Sequence, residues 1–209
     1  ILESFMSVIR TVEELRSVIG EEIPGLNEKN TDHLDSYAIE FIKKSPFLVL
    51  TTSDAQGRCD ASPKGDAPGF VHILDEKKIV IPDRPGNKLA YGHLNILENS
   101  HVGVLFLIPG TAETLRINGT AELSASPELL DQLSARGKPA VLALRITIEE
   151  CFFHCAKAFI RSSLWKPETW SSEAHRVSFG EMFAARKQAS KEMAEAIDAG
   201  INADYQNNL

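Results

Sequence analysis

The segment Ile79–Lys88 reads Ile-Val-Ile-Pro-Asp-Arg-Pro-Gly-Asn-Lys, and it carries the side chains best placed for chemistry in this sequence. Its apolar start predicts a buried strand. Pro82 and Pro85 stiffen the exit, Gly86 lets backbone approach a ligand, and a helix is expected from about Asn87 to Glu98. Backbone N–H groups in the first turn of a helix lack partners and carry partial positive charge, so such a junction suits an anion. Arg84 and Lys88 add full charges, and an arginine can hold a phosphate through two parallel hydrogen bonds. The alternative is a solvated turn with two surface cations.

Further cations sit where they could border a flat anionic ligand. Ser62-Pro63-Lys64-Gly65-Asp66 places Lys64 in a loop at a strand end. A positive charge there would stabilise the reduced, anionic form of an electron-rich ring; a loop lysine in water is the plainer reading. Arg116 interrupts an apolar strand and faces either solvent or an anion in a cleft. Lys157, Arg161 and Trp165 recur every four residues, which on a helix puts two cations and an indole on one face. A surface helix with a docked Trp would give the same pattern.

Cys151, His154 and Cys155 are the only close Cys/His group. On a strand the two cysteines share a face and the histidine points away, and no second pair has zinc spacing, so no metal is expected. The chain lacks a glycine-rich dinucleotide fingerprint, a P-loop and a Gly-x-Ser-x-Gly elbow. No residue declares itself a general base.

The elements that must position these residues follow from pattern. Thr11 and Glu14 have capping-box spacing, with Gly20 as a stop. A second helix follows Thr31 and Asp32, with Leu34, Tyr37, Phe41 and Ile42 on one face, and Pro46 closes it. From Phe47 the period changes to strands: Phe47–Thr52, Arg58–Ser62, Phe70–Leu74, Lys78–Pro82 and His101–Ile108. Asn118-Gly119 between alternating segments reads on pattern alone as a hairpin turn, although a glycine also marks a bulge in one long strand. Ala140–Ile148 and Cys151–Cys155 form a last hairpin or bent strand, and the Ala-, Glu- and Lys-rich tail from about Phe179 is helical. Helices at the ends and a mostly antiparallel middle predict an α+β, mainly β fold with flanking helices, and argue against a doubly wound sheet.

Composition sets the frame. The 209 residues, 43% hydrophobic and 24% charged, suffice for a single buried core. Net charge is −7, from 22 basic and 29 acidic residues, which disfavours nucleic-acid partners and requires a local basic cluster for any anionic ligand. Three cysteines cannot all pair within one chain, which suits a reducing compartment, and a cytoplasmic location is expected. No apolar run reaches the ~18 residues of a membrane span. No basic stretch followed by an apolar core marks a signal peptide.

Taken in order, several stretches resemble the pyridoxamine-5′-phosphate-oxidase-like family of FMN-binding split barrels, in particular a group of probable FMN-dependent proteins. They are Phe47–Thr52, Ala61–Asp66, Pro82–Lys88, Asn95–Leu97, Val102–Gly110, Glu113–Ala121 and His154–Trp165, within residues 37–170. The resemblance implies a six-stranded antiparallel split β-barrel over 47–170, with N-terminal helices over 1–46 packing on it and a helical tail over 171–209. It also implies a homodimer with FMN at the subunit interface and hydride transfer through the flavin to or from a small molecule. Ser62, Pro63 and Lys64 would approach the ring, Pro82 and Asp83 the ribityl side, and Arg84, Asn87 and Lys88 the phosphate. Thr114 and Arg116 would come from a strand running through Gly119, which favours one long bulged strand over the hairpin. Lys157, Arg161 and Trp165 would close the site from the other subunit. The arginine-rich C-terminal segment with which these oxidases grip their substrate phosphate has no counterpart here, so the resemblance does not extend to vitamin B6 oxidation. Two alternatives keep the fold: a flavin-binding or sensing protein without catalysis, and a split barrel holding haem or deazaflavin. A third is a small-ligand hydrolase or binding module without flavin.

Overall fold

The computed structural model describes residues 8–208. Residues 1–7, the start of the segment expected to be N-terminal helices over 1–46, and Leu209, the end of the expected tail, lie outside the described residues. The N-terminal α1 (Val12–Ile19) is closed by the expected capping box between Thr11 and Glu14, and Gly20 stops it at φ +85°. Helix α2 (Ser36–Lys44) starts where the Asp35 carboxylate accepts the Ala38 N–H, and it buries Ala38, Phe41 and Ile42. The helix gives out one residue before Ser45, because the position preceding Pro46 is pushed toward extended backbone; Ser45 is extended at φ −80°, ψ 121°.

The middle of the chain builds β1 (Phe47–Ser53), β2 (Cys59–Gly65), β3 (His72–Asp75), β4 (Lys78–Asp83), α3 (Tyr91–Glu98), β5 (His101–Leu107), β6 (Thr114–Ser124), α4 (Pro127–Gln132) and β7 (Leu142–His154). These strands form a single antiparallel sheet in the order β2-β1-β5-β6-β7-β4-β3. Seven strands form where the resemblance implied six; the short β3, expected from the pattern at Phe70–Leu74, is an edge strand that pairs with β4 alone. The sheet is not closed by backbone hydrogen bonds. It curls nonetheless: Lys64 on β2 binds Asp83 on β4 through their side chains, although four strands separate them in the order.

The long bulged strand expected through Gly119 is found, and the hairpin that the pattern alone suggested is not: Asn118 and Gly119 both lie inside β6, paired to Gly103 and Val102 on one side and to β7 on the other. The irregularity is opposite the glycine, where Asn118 faces Glu150 and Gly119 faces Ile148, leaving Glu149 as the extra residue of β7. A Cβ at Gly119 would sit 2.0 Å from the Thr147 carbonyl oxygen, so glycine is needed for close approach rather than for a turn. Strand β2 also runs further than read, carrying Ser62, Pro63 and Lys64 within the sheet.

The main core joins Leu48 and Leu50 of β1, Val104 and Phe106 of β5, Leu115 and Ile117 of β6, and Leu144 and Ile146 of β7, with Ile42 of α2 over it. Strand β4 is covered on both faces. Ile79 and Ile81 enter that core, while Val80 packs with Leu133, Ala140 and Ala143 near α4. Its uninterrupted apolar run is the signature of a strand buried on both sides, and it ends at Asp83, where the candidate site begins. After β7 come α5 (Lys157–Ser162), α6 (Phe179–Lys187) and α7 (Lys191–Asn207). Helices α6 and α7 cross closely at Gly180, where an added Cβ would lie 2.0 Å from the Ala194 carbonyl. No helix among the described residues is long and apolar enough to cross a membrane.

Candidate functional site

A cleft of about 460 Å³ opens between the end of β2, the end of β4 and the first turn of α3. That volume suits a small-molecule ligand or cofactor. Ser62, Lys64, Asp83, Arg84, Asn87 and Lys88 all line it, so the fold gathers six of the expected residues from two separate segments. Pro63 points to the opposite, exposed face of β2, as strand alternation dictates, and Pro82 is buried behind the wall.

The remaining five sit elsewhere. Thr114 is buried opposite His154 at the far end of β7, and Arg116 is exposed with its guanidinium over the Phe152 ring at 5.9 Å. Lys157 and Arg161 are exposed on α5. Trp165 lies past the helix end and stacks on Phe159 at 5.7 Å, its buried indole N–H without a partner. Asp83 is level with Leu142 at the start of β7, and Thr114 with His154 at its end. Twelve residues of strand, roughly 40 Å of contour, separate the two groups. None of the five lines the cleft.

The loop between β4 and α3 departs from the expected helix start. Asn87 is not helical: its side-chain oxygen accepts the Leu89 N–H at 3.0 Å, a local turn. Lys88 (φ +61°) and Ala90 (φ +55°) are both left-handed, and α3 starts only at Tyr91. Two left-handed non-glycine residues within three positions store strain at the cleft edge.

Electrostatics divides the cations. Arg84 Nε donates to Asp66 at 2.9 Å and its Nη1 to the Leu133 carbonyl at 2.8 Å, while Arg136 approaches the same Asp66 at 3.3 Å. Burial opposes the charge on Asp66 more than any single contact favours it. The Ala67 N–H and the two arginines together still hold its carboxyl below the usual range. Lys64 binds Asp83. Lys88 takes part in none of the cleft's ion pairs. Cations still prevail on the lining, where Lys64, Arg84 and Lys88 face Asp60 and Asp83. An acidic molecule thus holds a locally positive cleft, with the unpaired N–H groups of α3 at its edge.

Sequence reasoning missed three residues here. Asp66 was read only as part of a loop, yet it anchors Arg84. Asp60 reaches the cleft beside Ser62, whose Oγ donates to it at 3.0 Å. His93 lines the cleft with its Nε2 buried and without a hydrogen-bond partner. With the helix expected from Asn87, His93 fell in its second turn, and nothing in the sequence pointed to it; the late start at Tyr91 brings it to the cleft. That orphaned atom, the open Lys88 and the cation excess fit a polar, anionic ligand such as FMN. Among the described residues no three His, Cys, Asp or Glu side chains gather as a metal site.

A cleft of this size at the end of a curled antiparallel sheet, under a strand–loop–helix junction, has room for a small ligand. Comparison with known proteins gives the family. The model for pyridoxamine 5′-phosphate oxidase matches residues 35–155, more than half of the chain, and the chain belongs to that family. Similar solved structures include HupZ of Group A Streptococcus (19% identity, 57% of this chain and 93% of that chain, TM-score 0.47). A Clostridium acetobutylicum protein related to general stress protein 26, of the pyridoxinephosphate oxidase family, matches at 16% identity over 56% of this chain and 85% of its own, TM-score 0.45. An FMN-binding protein from Syntrophomonas wolfei matches at 12% identity over 56% of this chain and 88% of its own, TM-score 0.42. No curated protein matches the chain.

Proposed function

We propose that this protein binds FMN in the cleft and acts as a cytoplasmic, homodimeric oxidoreductase on a small molecule. The curled sheet would serve as a split barrel over residues 47–170, with helical additions over 1–46 and 171–209. One observation carries the reading: Ser62, Lys64, Asp83, Arg84, Asn87 and Lys88, singled out for a flavin phosphate and ring, line a single net-cationic cleft. Lys88, Asn87 and the first-turn N–H groups of α3 would hold the phosphate. Arg84, fixed by Asp66 and the Leu133 carbonyl, would keep the loop in shape and offer its remaining N–H groups. Ser62 and Lys64 would border the ring, where Lys64 keeps two N–H groups after binding Asp83. Lys157, Arg161 and Trp165 would close the site from a second copy of the chain, together with the exposed Arg116, while Thr114, itself buried, would support that end of β6. FMN, when bound, supplies the hydride chemistry. The chain's own residues position it and exclude water.

The visible absorption spectrum of the purified protein, followed by release and identification of the chromophore, tests the assignment. Added FMN should bind even to protein purified colourless, and bound flavin should bleach with NADH, NADPH or a candidate substrate. A protein that never takes up FMN refutes the reading, and a flavin that stays oxidised with every donor restricts it to binding. Lys88→Ala should weaken FMN binding by about 1.5–3 kcal/mol, one charged hydrogen bond, and Lys88→Ala with Arg84→Ala by more. Unchanged titration curves for the double variant would move the phosphate elsewhere.

A further inference from the structure

Helix α1 has the pattern of a packing helix, yet it packs on nothing. Val12, Leu15, Val18 and Ile19 form a stripe along one side, and their exposures run from 40% to 70%. No residue of α1 is buried. Among the described residues, every side-chain hydrogen bond of residues 10–22 stays within that segment. Helix α3 shows a matching surface. Tyr91, Leu94 and Leu97, spaced three apart, are 53% to 73% exposed, and Tyr91 also lines the cleft. Exposed apolar stripes of this kind mark contact surfaces, and one chain leaves both of these bare.

Charge and attachment select what covers them. Residues 8–22 carry Glu13, Glu14, Glu21 and Glu22 against Arg10 and Arg16, so the stripe of α1 is edged by negative charge. Anionic lipid headgroups would repel it. The cleft beside α3 is net cationic instead, with Lys88 outside its ion pairs. The arm that carries α1 is anchored at the far end of β7. Thr31 exchanges backbone hydrogen bonds with Cys151 at 2.9 and 2.7 Å, and Lys29 Nζ donates to the Phe153 carbonyl at 3.2 Å. That is the end from which Lys157 and Arg161 would cross to a partner's cleft. Six residues, Gly20–Gly25, join α1 to the 3-10 turn Leu26–Lys29, and when extended they reach roughly 20 Å. A second copy that brings its Lys157 and Arg161 to the cleft therefore also brings its α1 within reach of α3.

We propose that α1 is an arm that docks its apolar stripe on α3 of a second copy and covers the mouth of that copy's cleft. The proposal rests on the two-chain FMN site above, and it adds a contact made by residues that precede the family match at 35–155. The stripe meets Tyr91, Leu94 and Leu97, and the glutamates face the cationic rim. Docking removes apolar surface of both helices from water and slows the exit of a bound flavin.

Cross-linking tests the contact without any ligand. In a Cys59→Ser, Cys155→Ser background, Leu15→Cys and Leu97→Cys proteins are unfolded and refolded together, then mildly oxidised. A covalent dimer should form from the mixture and from neither protein alone. With both substitutions in one chain the same dimer should appear. A cross-link closed within one chain, or none in the mixture, would overturn the arm. Flavin exit gives a second reading. Val12→Asp with Leu15→Asp should speed FMN dissociation about tenfold and raise quenching of the flavin by acrylamide, and Leu94→Asp with Leu97→Asp should do the same. All four together should add nothing further, with thermal melts as the control for folding. Additive effects, or an unchanged rate in the α1 variant, would equally overturn it. Should the wild type take up no FMN, the cofactor reading falls and the cross-link alone decides the arm.

Discussion

Lys88 and Arg84 began with equal claims on a phosphate, and the fold treats them differently. Arg84 spends two of its donors on Asp66 and the Leu133 carbonyl, whereas Lys88 stays outside the ion pairs and sits in a left-handed backbone conformation. Charge and strain at Lys88 can be separated. Lys88→Gly removes the ammonium and relaxes the φ of +61°, so it should stabilise the fold by up to ~1 kcal/mol while still weakening FMN binding. Thermal melts and titrations on the same samples read both effects; a destabilised Lys88→Gly would show that the lysine stem, not the charge, matters. The thiols give a second contrast. Burial, with Asp35 adding, pushes the Cys151 thiol up to about 12, whereas Cys59 and Cys155 are exposed. A thiol reagent at pH 8 should modify two cysteines quickly and the third only after unfolding; three fast thiols would mean that β7 opens readily.

Elements were legible wherever the signal was local. The Thr11–Glu14 cap, the Gly20 stop and the buried run of β4 follow from neighbouring residues, and each is found. The helix expected from Asn87 fails because Asn87 prefers to bond the Leu89 N–H, a competition between side chain and backbone that residue types alone do not decide. Asp66 and Arg84 lie 18 residues apart, and only the curl of the sheet makes them partners. Gly119 is the sharpest case, since Asn-Gly encodes a hairpin locally while the pairing of β6 on both sides keeps the strand extended. Gly119→Ala should cost about 1–3 kcal/mol, because its methyl group meets the Thr147 carbonyl and backbone must shift. Chemical denaturation measures it. A neutral substitution would indicate that β6 and β7 separate at the bulge without penalty.

At the scale of the molecule, the predicted site residues fall into two sets at opposite ends of β7. One protomer cannot bring Arg161 to its own Lys88 without dismantling the strand between them, because Asp83 is level with Leu142 and Thr114 with His154. Two copies related by a twofold axis can, since an isologous contact pairs one end of each chain with the other end of its partner. Mixing separates these arrangements. Lys88→Ala and Arg161→Ala proteins should each bind FMN weakly on their own. After joint unfolding and refolding of an equal mixture, half of the dimers would be mixed, and each would combine one wholly intact site with one doubly altered site. Tight FMN binding should then return at about a quarter of all sites, read as a high-affinity phase in the titration. If every site is built within one chain, no pairing of the two variants restores an intact site, and the mixture would titrate as the plain average of its parents.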